Sequence, residues 1–178
     1  MKRLWAYVGA LAIALVAVTA GFARSPAASA SNVATDRDVV QFQSMFPLGT
    51  QFIGAAGAIR GVPAAGLPWM IRSIHGDLDL NGELTIDIDG LVLANDPSVP
   101  PSLRGTNPVP FFAAIVSCTT AAGGLMTTVN MATANVHATM PGGDAHIDQR
   151  LTLPHPCVAP IVLVTAPGGS AWFAVTGS

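Results

Sequence analysis

GDLDLNGELTIDIDG, residues 76–90, decides the fold class of this chain, because apolar and polar side chains alternate along nearly its whole length. A period of two is typical of a β-strand with one buried face. Asn81-Gly82 marks the turn. A two-residue loop would mix the faces, whereas a three-residue loop at 80–82, with Gly82 left-handed, pairs Leu78 with Leu84 and keeps each face uniform. The sequence therefore predicts a β-hairpin with one apolar and one acidic face.

The acidic face of this hairpin has two interpretations. The first is a solvated outer surface, where water and salt screen the repulsion between opposed carboxylates. The alternative is a Ca²⁺ site, because Asp77-x-Asp79-x-Asn81-Gly82 matches the opening of an EF-hand loop, although its closing Glu would fall on Ile88. The predicted calcium ligands are Asp77, Asp79, Asn81, Glu83, Asp87 and Asp89.

Outside the hairpin, short apolar segments alternate with Gly- and Pro-rich turns. Strands are predicted at 50–59, 67–80, 84–94, 111–118, 125–136, 145–153, 158–165 and 171–176. The turn Pro167-Gly168-Gly169 joins the last two as a hairpin, and residues 39–46 fit either a helix face or a strand. This spacing predicts an all-β, two-sheet β-sandwich, for which an immunoglobulin-like arrangement is one form.

The first thirty residues read as a secretory signal peptide. Lys2 and Arg3 precede an uncharged apolar run at 4–20, and small residues follow up to Ala30. We expect cleavage after Ala30, with Ala20 and Ala23 as other sites and a retained anchor as the alternative. The predicted organisation is a signal peptide at 1–30, an N-terminal extension at 31–48 and one sandwich domain at 49–178, secreted or periplasmic, with no membrane span in the mature chain.

The charge of the predicted mature chain excludes some partners. Residues 31–178 hold five arginines, no lysine and all ten acidic residues, a net charge of −5. Such a chain is a poor ligand for nucleic acid or for an anionic membrane surface. Its apolar content is too high for a disordered chain, so it can bury a core.

Cys118 and Cys157 are the only cysteines, and in an oxidising compartment they can pair only with each other. The pair is predicted to tie two apolar strands together across the two sheets. It is a structural bond in this interpretation, because the spacing is not that of a redox motif.

Histidines offer a second candidate metal or proton-relay site. Asp144, His146 and Asp148 recur at every second position and share one strand face, and His75 lies beside the acidic hairpin. A metal-dependent hydrolase built on these residues is the enzymatic alternative. Hydrated or hydrogen-bonded histidines are the simpler interpretation.

No motif for nucleophilic catalysis or phosphate binding is present. The aromatic residues after Ala30 lie mostly inside apolar runs, which favours core positions over an exposed ligand platform.

Several segments resemble small secreted bacterial proteins of uncharacterised function. These segments are 46–50, 104–110, 116–118, 157–160 and 171–177. The resemblance spans most of the predicted mature chain and implies no activity or site residues.

We expect a non-catalytic binding or structural module without a cofactor. The alternative is a module stabilised by Ca²⁺ bound at the acidic hairpin. Its expected partner is a protein or a component of the cell envelope.

Overall fold

The computed structural model describes residues 38–177, and this part of the chain is almost wholly β. The strands are β1 (Asp38–Phe42), β2 (Phe46–Pro47), β3 (Trp69–Met70), β4 (Ser73–Asp79), β5 (Glu83–Asp89), β6 (Val92–Leu93), β7 (Phe111–Ala122), β8 (Leu125–Ala132), β9 (Val136–His137), β10 (Ala145–Arg150), β11 (Val158–Thr165) and β12 (Trp172–Val175). The predicted all-β sandwich is confirmed.

Two antiparallel sheets build the molecule. Sheet A has the order β1-β4-β5-β10, and sheet B has the order β2-β12-β11-β7-β8, with β9 also paired to β7. A small additional pair joins β3 to β6. Because β1 and β2 are members of these sheets, residues 38–42 and 46–47 of the segment predicted as an N-terminal extension take part in the sandwich.

The hairpin of β4 and β5 has the predicted register. Leu78 lies opposite Leu84, and Gly82 has a φ of 81° at the loop. A side chain at position 82 would also meet the carbonyl oxygen of Leu151 at 1.9 Å, so glycine is required there for space as well as for conformation. The apolar face is fully buried at Leu78, Leu84 and Ile86.

The core unites apolar side chains from both sheets in one cluster. Ile86 and Ile147 contribute from sheet A, and Val116 and Val162 from sheet B. Strands β7 and β11 are buried over long continuous runs, because the segment between β2 and β3 also packs on sheet B. Arg60 in that segment donates to the carbonyl oxygens of Ser117 at 2.7 Å and Ala159 at 2.8 Å. Covered on two sides, these strands have apolar sequences rather than alternating ones.

Cys118 and Cys157 form the predicted disulfide, with their Cα atoms 5.0 Å apart. The prediction that it would cross between the sheets is wrong. Cys118 lies in β7 and Cys157 directly precedes β11, and these two strands are hydrogen-bonded neighbours in sheet B. The bond therefore braces adjacent strands at one end of the pair.

Two local predictions are resolved by the structure. Residues 39–46, which fitted helix or strand, begin with β1. The strand predicted at 50–59 is wrong, since this segment forms two 3₁₀ turns, Thr50–Phe52 and Gly54–Gly57. Glycines at 49, 54 and 57 and the absence of alternation give that segment no half-buried strand pattern.

The predicted signal peptide lies outside the described residues. Within residues 38–177, no helix has the length and apolar character that a membrane-spanning segment requires.

Candidate functional site

Most of the candidate metal residues lie on the outer face of sheet A, opposite its core face, whereas Asn81 lies in the hairpin turn and Asp144 directly precedes β10. Cross-strand register places His75, Asp87 and His146 in one row over β4, β5 and β10. The neighbouring row holds Asp77, Thr85 and Asp148. We call this surface the acidic face.

Asp87 is the centre of the acidic face. Its Oδ1 lies 2.7 Å from Nδ1 of His146, and its Oδ2 lies 3.4 Å from Nε2 of His75. All three side chains are about half exposed. The carboxylate can orient both imidazoles, but the open surface leaves the row in contact with water. Such a site does not provide the dry surroundings that strengthen electrostatic catalysis.

The structure joins the two histidines through Asp87 rather than through Asp144 and Asp148, which the sequence analysis grouped with them. The predicted hairpin register already contained this signal, because the loop that pairs Leu78 with Leu84 also pairs His75 with Asp87. Among residues 38–177, no three His, Cys, Asp or Glu side chains are arranged to hold a metal ion.

Asp144 has a structural role at the start of β10. Its Oδ1 accepts the Gly90 N–H at 2.9 Å, and its Oδ2 accepts the Thr139 hydroxyl at 2.9 Å. The Gly90 N–H and then the Thr139 hydroxyl hold the pKa of Asp144 below its ordinary value of 3.8. Both carboxylate oxygens are therefore used in joining β10 to the loops around it.

Asp79 closes the hairpin turn in a similar way. Its Oδ1 accepts the backbone N–H groups of Asn81 and Glu83, and its Oδ2 accepts the Asn81 side-chain amide, at 2.8–2.9 Å. The Glu83 N–H, followed by the Asn81 side chain, lowers the pKa of Asp79. The residues that match the opening of an EF-hand loop are thus also those of a turn closed by hydrogen bonds to its own Asp side chain.

Two other predicted calcium ligands contact arginines. Glu83 lies 3.6 Å from Arg150, and Asp89 lies 2.6 Å from Arg72. These ion pairs are exposed, so they contribute little to stability. They do place positive charge beside the carboxylates that a Ca²⁺ ion would need.

A different site lies beside β2 and β12, where an apolar cleft of about 470 Å³ opens to the surface. Phe46 and Phe52 line it, and these residues are 68% and 51% exposed. Trp172, which is 3% exposed, contributes a buried wall, and Gln51 adds a side-chain amide. We call this site the phenylalanine cleft.

The loop that forms the phenylalanine cleft is tied firmly to β12. Trp172 donates its indole N–H to the carbonyl oxygen of Gly57 at 2.9 Å, and the backbone N–H of Ala65 donates to the Trp172 carbonyl at 3.1 Å. A Cβ atom at Gly57 would lie 1.6 Å from the carbonyl oxygen of Phe52. The close approach of the two 3₁₀ turns therefore requires glycine at this position.

The sequence pattern did not predict this cleft. The prediction that aromatic residues belong to the core is confirmed for Phe42, Phe112 and Phe173 and is wrong for Phe46 and Phe52. The available signal was the position of these two phenylalanines beside Pro47 and Gln51, outside the long apolar runs.

No family model, no curated protein and no solved structure matches this chain.

Proposed function

We propose that this protein is an extracytoplasmic, non-catalytic binding module that takes a small, neutral, largely apolar ligand in the phenylalanine cleft. The observation that carries the proposal is the pair of exposed phenyl rings at Phe46 and Phe52 beside the buried Trp172. Large apolar side chains held at the surface around a concavity are typical of binding sites.

The lining of the phenylalanine cleft supports this class of ligand. Among the described residues that line it, none carries a charged side chain, and Gln51 supplies both a hydrogen-bond donor and an acceptor. The volume of about 470 Å³ lies within the range of small-molecule sites, roughly 300–1,000 Å³. A neutral ligand with one polar group matches this combination better than an ion does.

The hydrogen bonds of the loop support a preformed site. Because the cleft wall is fixed to β12 through Trp172 and Gly57, a ligand need not order the wall on binding. Preorganisation of this kind lowers the entropy cost of association.

The extracytoplasmic location is supported by two features. The disulfide between Cys118 and Cys157 is typical of proteins from oxidising compartments. The predicted signal peptide at 1–30 gives a route to such a compartment.

Fluorescence titration with N-phenyl-1-naphthylamine, a neutral apolar probe, tests the proposal. Phe46→Ser and Phe52→Ser each remove one phenyl ring from the cleft, and we expect each to raise the Kd at least about tenfold. Met140→Ser is the matched control, because Met140 is an exposed apolar residue outside the cleft. Equal weakening by the control, or no probe binding by the parent protein, would refute the proposal.

A further inference from the structure

The outermost strands of the two sheets differ in how they are protected against pairing with another chain. In sheet A, β1 has an irregular register between Asp38 and Val40, and β10 carries charged side chains. In sheet B, β2 is two residues long and ends at Pro47. Short length, irregularity, charge and proline are the usual protections of a sheet edge. Strand β8 has none of them, since its eight residues, LMTTVNMA, include no charge and no proline.

The backbone groups of β8 that face away from sheet B can be assigned. Thr133 directly follows this strand, and its N–H donates to the carbonyl oxygen of Ala114 in β7. Backbone direction alternates along an antiparallel strand, so the N–H and C=O groups of Met126, Thr128 and Asn130 point away from β7. No strand among residues 38–177 pairs with these groups, which form an open row for strand pairing.

The open row has a defined end. Ala134 lies just beyond β8, and its backbone groups also point away from β7. There the side chain of Gln149 takes the place of a neighbouring strand. Its Oε1 accepts the Ala134 N–H at 2.8 Å, and its Nε2 donates to the Ala134 carbonyl at 3.3 Å. The edge is therefore closed beyond β8 and open along it.

The charge distribution favours a second copy of this chain as the partner that pairs with the open row of β8. Between Arg104 and Asp144 the sequence contains no Asp, Glu, Lys or Arg. Two β8 strands that meet therefore bring no like charges of their own together, and the nearby Arg60 directs its guanidinium to the carbonyl oxygens of Ser117 and Ala159. Two acidic faces, in contrast, repel each other. The described surface thus permits self-association at β8 and opposes it at sheet A.

Of the twofold antiparallel registers that set outward-pointing groups of β8 against each other, the one centred on Thr128 pairs the longest part of the strand. A twofold axis through Thr128 sets Thr128 against its own copy and Met126 against Asn130, so that outward-pointing backbone groups face each other and can exchange hydrogen bonds. The same register sets Leu125 against Met131 on the opposite face. Each face of the strand then continues into the same face of the partner strand.

The exposed apolar side chains at the start of β8 would lose the most solvent exposure in this pairing. Leu125 and Met126 are 75% and 63% exposed, the former among the most exposed of the large apolar residues between 38 and 177. In the twofold register they lie beside the partner's Met131 and Asn130. Their burial adds an apolar contribution to the backbone hydrogen bonds.

We propose that this protein forms a symmetric dimer in which β8 of one copy pairs antiparallel with β8 of a second copy, centred on Thr128. Sheet B then continues across both molecules. Edge pairing of this length buries less than the roughly 1,200–2,000 Å² of a stable interface, so the dimer dissociates on dilution. This proposal is independent of the phenylalanine cleft.

Sedimentation equilibrium of the full chain, produced in an oxidising compartment, tests the dimer over a concentration series. Thr128→Lys places two ammonium groups against each other at the twofold axis, and we expect it to raise the dimer Kd at least about tenfold. Gln41→Lys is the matched control, since it adds the same charge to an exposed position of an outer strand in sheet A. A parent protein that is monomeric at all concentrations, or equal weakening by both variants, overturns the proposal.

Cysteine cross-linking tests the register. In the proposed dimer the two Thr128 Cα atoms lie about 5.5 Å apart, within disulfide range, so Thr128→Cys gives a covalent dimer on oxidation. The two Met126 positions are offset by four residues along the strands, about 13 Å, so Met126→Cys does not. Equal cross-linking by both variants, or none by Thr128→Cys, overturns the pairing.

Discussion

Trp172 and Gly57 are joined by a hydrogen bond of 2.9 Å from the indole N–H to the carbonyl oxygen, although they lie 115 residues apart in sequence. The bond links a buried side chain of β12 to the loop that carries Phe52. Stability of the sandwich and shape of the phenylalanine cleft therefore depend on the same contact.

Trp172→Phe should lower the free energy of unfolding by about 2 kcal/mol or more, because it leaves the Gly57 carbonyl without its donor and removes buried ring volume. Urea unfolding followed by circular dichroism measures the change. An unchanged free energy of unfolding would show that the loop is not held through this bond.

Gly57→Ala should weaken binding of N-phenyl-1-naphthylamine by tenfold or more. The added Cβ would lie 1.6 Å from the Phe52 carbonyl oxygen, so the two 3₁₀ turns must separate and displace Phe52. Gly66→Ala is the control, because a Cβ at Gly66 meets nothing within 4 Å and should leave the Kd unchanged. Equal affinities of the two variants would contradict the geometry of the cleft.

Ser117→Ala should leave stability unchanged or raise it by up to about 1 kcal/mol, since the buried Ser117 hydroxyl has no hydrogen-bond partner among the described residues. Thr165→Val is the contrasting variant. The Thr165 hydroxyl donates to the Ala113 carbonyl at 3.2 Å in the buried part of sheet B, so its removal should cost about 1 kcal/mol. Chemical denaturation of both variants makes the comparison, and a destabilised Ser117→Ala would reveal an additional partner.

The free energy of unfolding should decrease as the pH is lowered, partly because Asp144 becomes protonated. Its pKa in the folded protein is held below the ordinary value of 3.8, because it accepts the Gly90 N–H and the Thr139 hydroxyl, whereas an unfolded Asp titrates at about 3.9. A depressed pKa contributes stability above the unfolded value, and this contribution is lost as pH falls through the folded value. Asp144→Asn should therefore flatten the decline in unfolding free energy below about pH 5, measured by urea titration at several pH values. Asp79→Asn should act in the same direction, and an unchanged slope in the double variant would contradict the assignment.

Calcium should leave the melting temperature of the full chain unchanged relative to EDTA. Asp79 and Asn81 are bonded to each other and to the turn, and Glu83 faces Arg150. A ligand present at about 100 times its Kd would add roughly 2.7 kcal/mol and raise the Tm by several degrees. Such a rise, lost in Asp79→Ala, would restore the calcium interpretation of the acidic hairpin.

The same melting experiment with Zn²⁺ tests the alternative that the protein is a metal-dependent hydrolase. We expect no rise in Tm with Zn²⁺, because no three His, Cys, Asp or Glu side chains in the described part of the chain are arranged to hold a metal ion. A rise that disappears in His146→Gln would direct attention to this row as a metal centre.

Local pattern was sufficient for much of the fold. Alternation at 76–90 predicted both the hairpin and its register, and the apolar run 158–165 coincides with β11. The disulfide pairing followed from there being two cysteines, but its position within one sheet depended on strand order, which local pattern does not contain.

The candidate sites were harder to predict because they depend on which elements pack together. His75 and Asp87 are paired by the hairpin, but His146 joins them only because β10 lies beside β5. Phe46 and Phe52 resemble core residues in sequence, and they are exposed because no strand between residues 38 and 177 covers this side of β2.

The disulfide also determines what a single backbone cleavage can do. Cys118 and Cys157 are 39 residues apart, and the covalent loop between them contains β8 of sheet B and β10 of sheet A. A protease that cuts the exposed Gly123-Gly124 turn would leave both fragments attached, with one strand of each sheet still tethered to β7 and β11. On a non-reducing denaturing gel, nicked molecules would therefore run as a single linked species, and they would separate into two chains only after the disulfide is reduced.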